Sequence, residues 1–262
     1  MNTLKFSTGN AKLDSRLIFN LPAGYSCPHA GVCKTLADRN TGTIMDLPQD
    51  NGVEWQEYRC FAAMAETRPT VRDARWHNWD LIRNVMYQCD GAEDQTKAIY
   101  ELIEQSIGFA QPVRQHHKLL RIHESGDFWT QVYFNAWLEV ARNNQHIKFY
   151  GYTKSLGMWY QMHDNIPSNM YLTASAGGTL DNLIIKYPEI FKRIAYVVYT
   201  EKEAQDLGLE IDHDDSHCFG DKPFALLVHG IQRAGSLAQQ SLTQRKKLGT
   251  FTGYNKTKQI RH

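Results

Sequence analysis

The sequence predicts an α/β fold: a complete or partial (β/α) barrel built as a single domain. Three observations predict it. Six short runs rich in β-branched and aromatic residues occur at 16–20, 119–123, 147–152, 170–174, 194–199 and 224–228, the composition of buried strands. Segments with apolar residues at helical spacing lie between several of them. Five of the runs close on polar or glycine residues, as strands do when they end at a loop-lined mouth. Alternation of strand and helix implies a mainly parallel sheet with right-handed crossovers. An open doubly wound sheet is the runner-up. In either architecture the site lies at the C-terminal ends of the strands.

The elements follow in order. Leu17-Ile18-Phe19 leads into a loop carrying Cys27, Cys33 and Cys60, and a helical segment follows Cys60. Residues 71–87 place Trp76, Trp79, Ile82, Val85 and Met86 on one helical stripe, and residues 96–109 do the same with Ile99, Leu102, Ile103 and Ile107. The strand at 119–123 runs into Glu124-Ser125-Gly126-Asp127, and a helix over 130–143 follows. Further strands end at Thr153-Lys154-Ser155, at Ser175-Ala176-Gly177-Gly178 and at Thr200-Glu201. The last ends at His229-Gly230 and turns through Arg233 and Ser236 into a helix over 237–247. Residues 1–242 are read as the barrel-like unit and 243–262 as a basic C-terminal segment.

Composition bounds the function. A chain of 262 residues with 42% apolar and 22% charged residues can bury one large core. A net charge of +1 creates no global field for a polyanion. The N-terminus has no apolar signal region, and no run approaches the ~18 apolar residues of a membrane span. Five cysteines, an odd number, fit a reducing, cytoplasmic compartment. Charge is uneven, however. From Thr243 onward the chain carries Arg245, Lys246, Lys247, Lys256, Lys258 and Arg261 without an acid, interleaved with Phe251 and Tyr254. Such a segment can follow a phosphate backbone and stack on bases, so DNA is the expected partner.

The cysteines carry the first chemistry. Cys27 and Cys33 enclose five residues in a Pro- and Gly-rich loop, and Cys60 follows. Thiolates gathered between a strand and a helix suit one shared metal, either Zn²⁺ or an iron–sulfur cluster. Cys218, in a polar loop before the last strand, is the expected fourth ligand, with His29 the local alternative. Cys89, at a helix end, reads as a bystander.

Strand ends carry the second. Asp127 can act as a nucleophile or bind a base edge or an amino group, and His123 can orient it or move a proton. Gly126 lets the backbone approach a ligand. Helix capping by Asp127 or Thr130 is the competing role for that stretch. Tyr152 can stack on a base and Lys154 can bind phosphate. Ser125, His229, Gln232 and Ser236 complete the expected substrate-binding set, together with Asn10 and Lys12 from the turn Gly9-Asn10-Ala11-Lys12.

Several blocks together carry a resemblance. They are Gly9-Asn10-Ala11-Lys12-Leu13, Leu21-Pro22-Ala23-Gly24 with Ser26-Cys27-Pro28, Cys60-Phe61-Ala62-Ala63, Ser125-Gly126-Asp127-Phe128, Tyr150 to Ser155, and Phe224 to Gly230. Taken together the chain resembles bacteriophage DNA 7-deazaguanine transglycosylases of the DpdA type, relatives of tRNA-guanine transglycosylases. The resemblance implies an α/β barrel that exchanges guanine in phage DNA for a free 7-deazaguanine base, inside the host cytoplasm. Asp127 would then attack C1′ of the target guanosine. The tRNA enzymes hold zinc with closely spaced cysteines late in the chain, whereas here three of the four proposed ligands come early. That departure supports a rival: a strand, a three-cysteine loop and alternating units also resemble radical S-adenosylmethionine enzymes with unusual spacing. In that case Ser125-Gly126-Asp127 would resemble the segment that holds the methionine amino group. A third expectation is a non-enzymatic DNA-binding phage protein with a structural metal.

Overall fold

The computed structural model describes residues 2–8, 16–46, 58–110, 118–251 and 253. Its elements are, in order, β1 (Phe6–Thr8), β2 (Leu17–Phe19), β3 (Thr35–Ala37), β4 (Ile44–Asp46), α1 (Phe61–Ala65), α2 (Pro69–Tyr87), α3 (Ala92–Ala110), β5 (Leu119–Ile122), α4 (Gln131–Asn143), β6 (Lys148–Thr153), α5 (Leu156–Gln161), β7 (Met170–Ser175), α6 (Asn182–Lys186), β8 (Ile194–Val198), α7 (Glu201–Asp206), β9 (Phe224–Leu227) and α8 (Leu237–Leu248). The protein is a single mixed α/β domain. One sheet of seven strands has the order β1-β2-β5-β6-β7-β8-β9. All neighbours from β2 onward pair in parallel, and β1 pairs antiparallel with β2 at one edge. β3 and β4 form a separate ribbon inside the cysteine loop.

All six expected strands form. A complete barrel does not: among the described residues nothing pairs β9 with β1, and the sheet is open. Nor is the sheet doubly wound, because the order β2 to β9 never reverses and so offers no switch point.

Period-2 alternation gives the sheet two unlike faces. One face, with Leu17, Phe19, Leu120, Ile122, Phe149, Leu172, Ala174 and Ile194, packs into the main core against α2 to α6. Trp137 of α4 is fully buried there against Phe19, Tyr133 and Phe149. Thr130 caps α4 by accepting from the Tyr133 amide, so Asp127 is released from that task. The opposite face carries Arg121, Tyr150, Tyr152, Tyr171, Ala195 and Phe224 in register across the strands.

The boundary expected at 242/243 falls inside α8. Arg245 of that helix turns inward and donates to the carbonyls of Val228 and Phe251. The Phe251 side chain packs near Leu227 and Ala225. These two residues of the basic segment therefore pack against the last strand of the sheet. Tyr254, Lys256, Lys258 and Arg261 lie outside the described residues. No described helix is long and apolar enough to cross a membrane.

Candidate functional site

A cavity of about 1050 Å³ opens at the C-terminal ends of the strands, the size of a small-molecule site. It brings together Cys27, Cys33 and Cys60 with Ser125, Asp127, Tyr152, Lys154 and His229, residues spread over two hundred positions of sequence.

The cysteine loop is stitched to two strand-end loops. Leu21 N donates to the Ser125 carbonyl (2.9 Å), Ser125 Oγ donates to the Leu21 carbonyl (2.9 Å), and Ser125 N donates to Asn20 Oδ1 (2.8 Å). Gly126, at φ 91°, sits where an added Cβ would stand 2.6 Å from Ser26 Oγ and 2.7 Å from Leu21 Cβ, so only glycine fits the seam. On the far side Val32 N donates to Gly177 O (3.1 Å) and Thr179 N to His29 O (3.1 Å). The loop thus crosses the mouth from the end of β5 to the end of β7.

All three thiols are half-buried and free of disulfides. Cys27 Sγ accepts from the Gly24 amide at 3.4 Å. Burial drives its thiol well up, and the charges of Asp127, Cys60 and Cys33 add to that. Cys60 opens α1, and its amide donates to Thr35 Oγ1 (3.2 Å). Burial pushes its thiol to about 11, with the charge of Cys33 next, while the amides of Ala63 and Ala62 act in the opposite sense. The charges of Cys60 and Cys33 thus raise the cost of ionising Cys27, and that of Cys33 raises the cost of ionising Cys60, a cost that a nearby cation lowers. No three His, Cys, Asp or Glu side chains among the described residues converge tightly around a single ion point. A single zinc ion holds each thiolate at about 2.3 Å. The three sulfurs line one cavity and are donors of the soft type that zinc and iron take.

Cys218 stands apart from the other three cysteines. It is fully buried on the inner face of the sheet with Tyr150, Ala195 and Phe224 and does not line the cavity. Burial, with the charge of Asp215, pushes its thiol up to about 12. His29 Nδ1 lies 3.3 Å from Thr179 Oγ1 and is not in the cavity lining either. The bystander Cys89 donates to Val85 O at the end of α2.

Asp127 lies beside the thiols, almost fully buried. It accepts from Thr153 Oγ1 (2.6 Å), Lys154 N (2.8 Å) and Phe128 N (2.7 Å). Burial raises its carboxyl to about 6 against those three donors. Lys154 gives its ammonium to the carbonyls of Ser175 (3.0 Å) and Ala176 (2.5 Å) and to Ser175 Oγ (3.1 Å). Its three N–H donors are all engaged, so it braces the end of β7 rather than reaching for a phosphate. His123 lines the same cavity but is not hydrogen-bonded to Asp127. Its ring is packed among Phe19, Phe128 and Tyr133, and its Nε2 lies 2.8 Å from Tyr133 Oη. Burial and then the charge of Arg121 push it down to about 3. It is neutral, and a proton-moving role does not fit that setting.

The remaining expected residues divide. His229 lines the cavity with its ring 4.5 Å from that of Phe61. Gln232 accepts from Arg59 N (2.7 Å) and donates to Arg59 O (3.2 Å), and so fixes the residue before Cys60. Ser236 is the N-cap of α8, accepting from Gln239 N. Asn10 and Lys12 lie outside the described residues.

The cavity floor holds residues that no sequence motif marks. Arg121 of β5 pairs with Asp215 at 2.7 Å, across 94 residues. Asp215, at φ 63°, stands before the 3-10 turn Ser216–Phe219 and receives Tyr150 Oη (3.2 Å) and Tyr152 Oη (3.3 Å) as well. Arg16 donates to Tyr150 Oη (2.9 Å) from the other side. Burial opposes the Arg121 charge, but Asp215 and the two tyrosines hold the guanidinium above its ordinary value. Arginine at a strand position is the one signal the sequence offers, and it reads there as an ordinary polar alternate.

The chain belongs to the Gene product 88 family, whose model matches residues 2–247. It is 32% identical over 120 residues to the Gene 88 protein of Mycobacterium phage L5 and 31% identical over 120 residues to that of Mycobacterium phage D29. The match takes in 45% of this chain, and the chain spans 47% of the length of each of these two relatives. No solved structure matches.

Proposed function

We propose that the protein is an iron–sulfur enzyme of the radical S-adenosylmethionine kind, built on a six-stranded partial (β/α) barrel. The observation that carries this reading is the placement of three free thiols. They sit on the loop after the first parallel strand, at a cavity whose next strand end is Ser125-Gly126-Asp127. The unbroken strand order from β2 to β9 supports the partial barrel. Cys27, Cys33 and Cys60 would hold the cluster and leave one iron without a protein thiolate. When bound, such a group would pass one electron from an external reductant to the sulfonium of S-adenosylmethionine, the chemistry that starts a radical reaction. The chain's own residues bind and orient. Asp127 offers a carboxylate to the methionine ammonium, and a cation there pulls its raised value back down. Gly126 keeps the strand end against the cysteine loop, so the two binding elements stay in register.

The test is anaerobic reconstitution with iron and sulfide. The expected results are absorption near 400 nm (roughly, for thiolate-to-iron transitions) and formation of deoxyadenosine from S-adenosylmethionine with dithionite. Colourless protein with stoichiometric zinc and no deoxyadenosine overturns the reading.

A second reading is the DNA-guanine transglycosylase, supported by a carboxylate of raised pKa at the mouth. There Asp127 forms the glycosyl bond as guanine leaves, and a 7-deazaguanine displaces the enzyme. Three donors already occupy that carboxylate, which favours holding a cation over attacking a carbon. Incorporation of 7-deazaguanine into DNA without S-adenosylmethionine or reductant would select this second reading. A DNA-binding role through the basic segment rests on Lys246, Lys247 and the residues beyond Gly253.

A further inference from the structure

The cavity extends below the thiols to a floor made by the inner face of the sheet, where Arg121, Tyr152, Val197 and Leu226 line it. Arg121 is 7% exposed, and its Nε has no hydrogen-bond partner. A guanidinium carries five N–H donors in a planar fork, and here NH1 alone is bonded, to Asp215. An unsatisfied donor on a buried cation is destabilising, so such a group is either a flaw or a receptor. Its setting is that of a receptor. The Tyr152 ring lies 5.0 Å from the guanidinium carbon and fixes the plane of the fork. Asp215 anchors one end and Val197 and Leu226 supply an apolar wall. The other cations of the cavity are differently placed: Lys154 has spent its donors, Arg59 is paired with Asp46 at 2.6 Å, and Arg68 is exposed at the rim.

We propose that Arg121 is an oxyanion receptor. It takes the carboxylate or phosphate of a small substrate whose apolar body lies against Tyr152, Val197 and Leu226, below the place where the proposed cleavage occurs. This rests on the reading of the cavity as the active site. It adds the substrate class, which the cysteine loop does not determine. A forked guanidinium matches either oxyanion in bidentate fashion. The depth of Arg121 selects a small molecule over a duplex, whose phosphates cannot descend to the floor.

The test uses the full chain with benzoate, phenyl phosphate and the uncharged isostere benzamide, followed by saturation-transfer NMR. At least one of the two anions should bind about tenfold or more tighter than benzamide; which one does tells a carboxylate site from a phosphate site. Arg121→Lys keeps a charge beside Asp215 and loses the fork. Leu226→Trp fills the floor without touching the ion pair. Each should weaken the anion about tenfold or more, and if Arg121→Lys does not fold, Leu226→Trp decides. Benzamide binding as tightly as both anions, no saturable anion binding, or wild-type affinity in the folded variants overturns the proposal. Displacement of the bound anion by a short single-stranded oligonucleotide overturns the small-molecule assignment. Absorption spectra of the reconstituted wild type separate the two claims. A cluster without an anion site leaves the functional reading and removes this one; an Arg121-dependent anion site without a cluster does the reverse.

Discussion

The rim and the floor of the cavity are built in opposite ways. At the floor, side chains bond side chains: Arg121, Asp215, Tyr150, Tyr152 and Arg16 join β5, β6, the strand β2 entry and the turn before β9 in one network. At the rim, side chains bond the backbone. Ser125 holds Leu21, Gln232 holds Arg59, Lys154 holds the carbonyls after β7, and the thiols point to the cavity with no partner among themselves. A side-chain network of buried ions fixes distances between distant elements, because any relaxation strands a charge. Backbone pinning positions a loop and leaves its side chains for something else. The floor is therefore the scaffold of the site, with one guanidinium edge left open, and the rim is a loop whose thiols are held in place by its backbone.

The largest way to break that contrast is at the floor. Asp215→Ala removes the one carboxylate shared by Arg121 and both tyrosines, and leaves a guanidinium buried and unpaired. The expected loss is about 3–5 kcal/mol of unfolding free energy, read from urea denaturation. A loss below about 1 kcal/mol would mean that the network is no more than a surface-type ion pair. At the rim the same kind of deletion should behave differently. Cys27→Ala or Cys33→Ala should remove the iron retained after reconstitution while the metal-free chains keep wild-type circular dichroism. Full iron retention in the double variant would exclude these thiols as ligands.

Asp127 stands between the two regions and sharpens the comparison through pH. Its folded-state value, about 6, lies above the ordinary 3.8. The folded protein therefore holds this proton more tightly than the unfolded chain. The stability it contributes is fully present below 3.8 and is lost as pH rises through about 6. Asp127→Asn should flatten the slope of stability between those values. The ionised form prevails above about 6, so S-adenosylmethionine affinity should climb through that pH in the wild type and stay level in the variant. An identical pH profile for both proteins would remove Asp127 from the binding of any cation.

How much of this was legible in the sequence follows from the same physics. The six parallel strands announced themselves because a strand buried on both faces must be apolar or aromatic nearly throughout, as 147–152 and 194–199 are. β1, β3 and β4, of three residues each, have no length over which a pattern can repeat. α5, α6 and α7 have five or six residues, fewer than two full turns, and show no period. The thiol rim was legible because Pro22, Gly24, Pro28 and Gly31 mark the loop that carries it. Cys218 misled because a polar neighbourhood in sequence became the underside of the sheet in space. The Arg121–Asp215 pair was not legible, since the partners lie 94 residues apart and neither has a local motif.

Ser236 gives the smallest effect and the cleanest control on the rim. By sequence it groups with the substrate-binding residues because it follows Arg233 and Gly235 at a helix start. In the structure its Oγ accepts from the Gln239 amide at 3.2 Å and donates to the Arg233 carbonyl at 2.7 Å. Both bonds are spent on the first turn of α8, and Ser236 does not line the cavity. An N-cap serine replaced by alanine costs about 1 kcal/mol. Ser236→Ala should therefore lower the denaturation midpoint slightly, with iron content, anion binding and deoxyadenosine formation all at wild-type values. Gln232 makes the contrast, because it grips Arg59 next to a proposed ligand. Gln232→Ala should loosen Cys60 and lower iron retention at a comparable loss of stability. If Ser236→Ala lowers iron retention as much as Gln232→Ala does, the effect belongs to α8 as a whole, and the rim's positions are set by that helix rather than by individual backbone clamps.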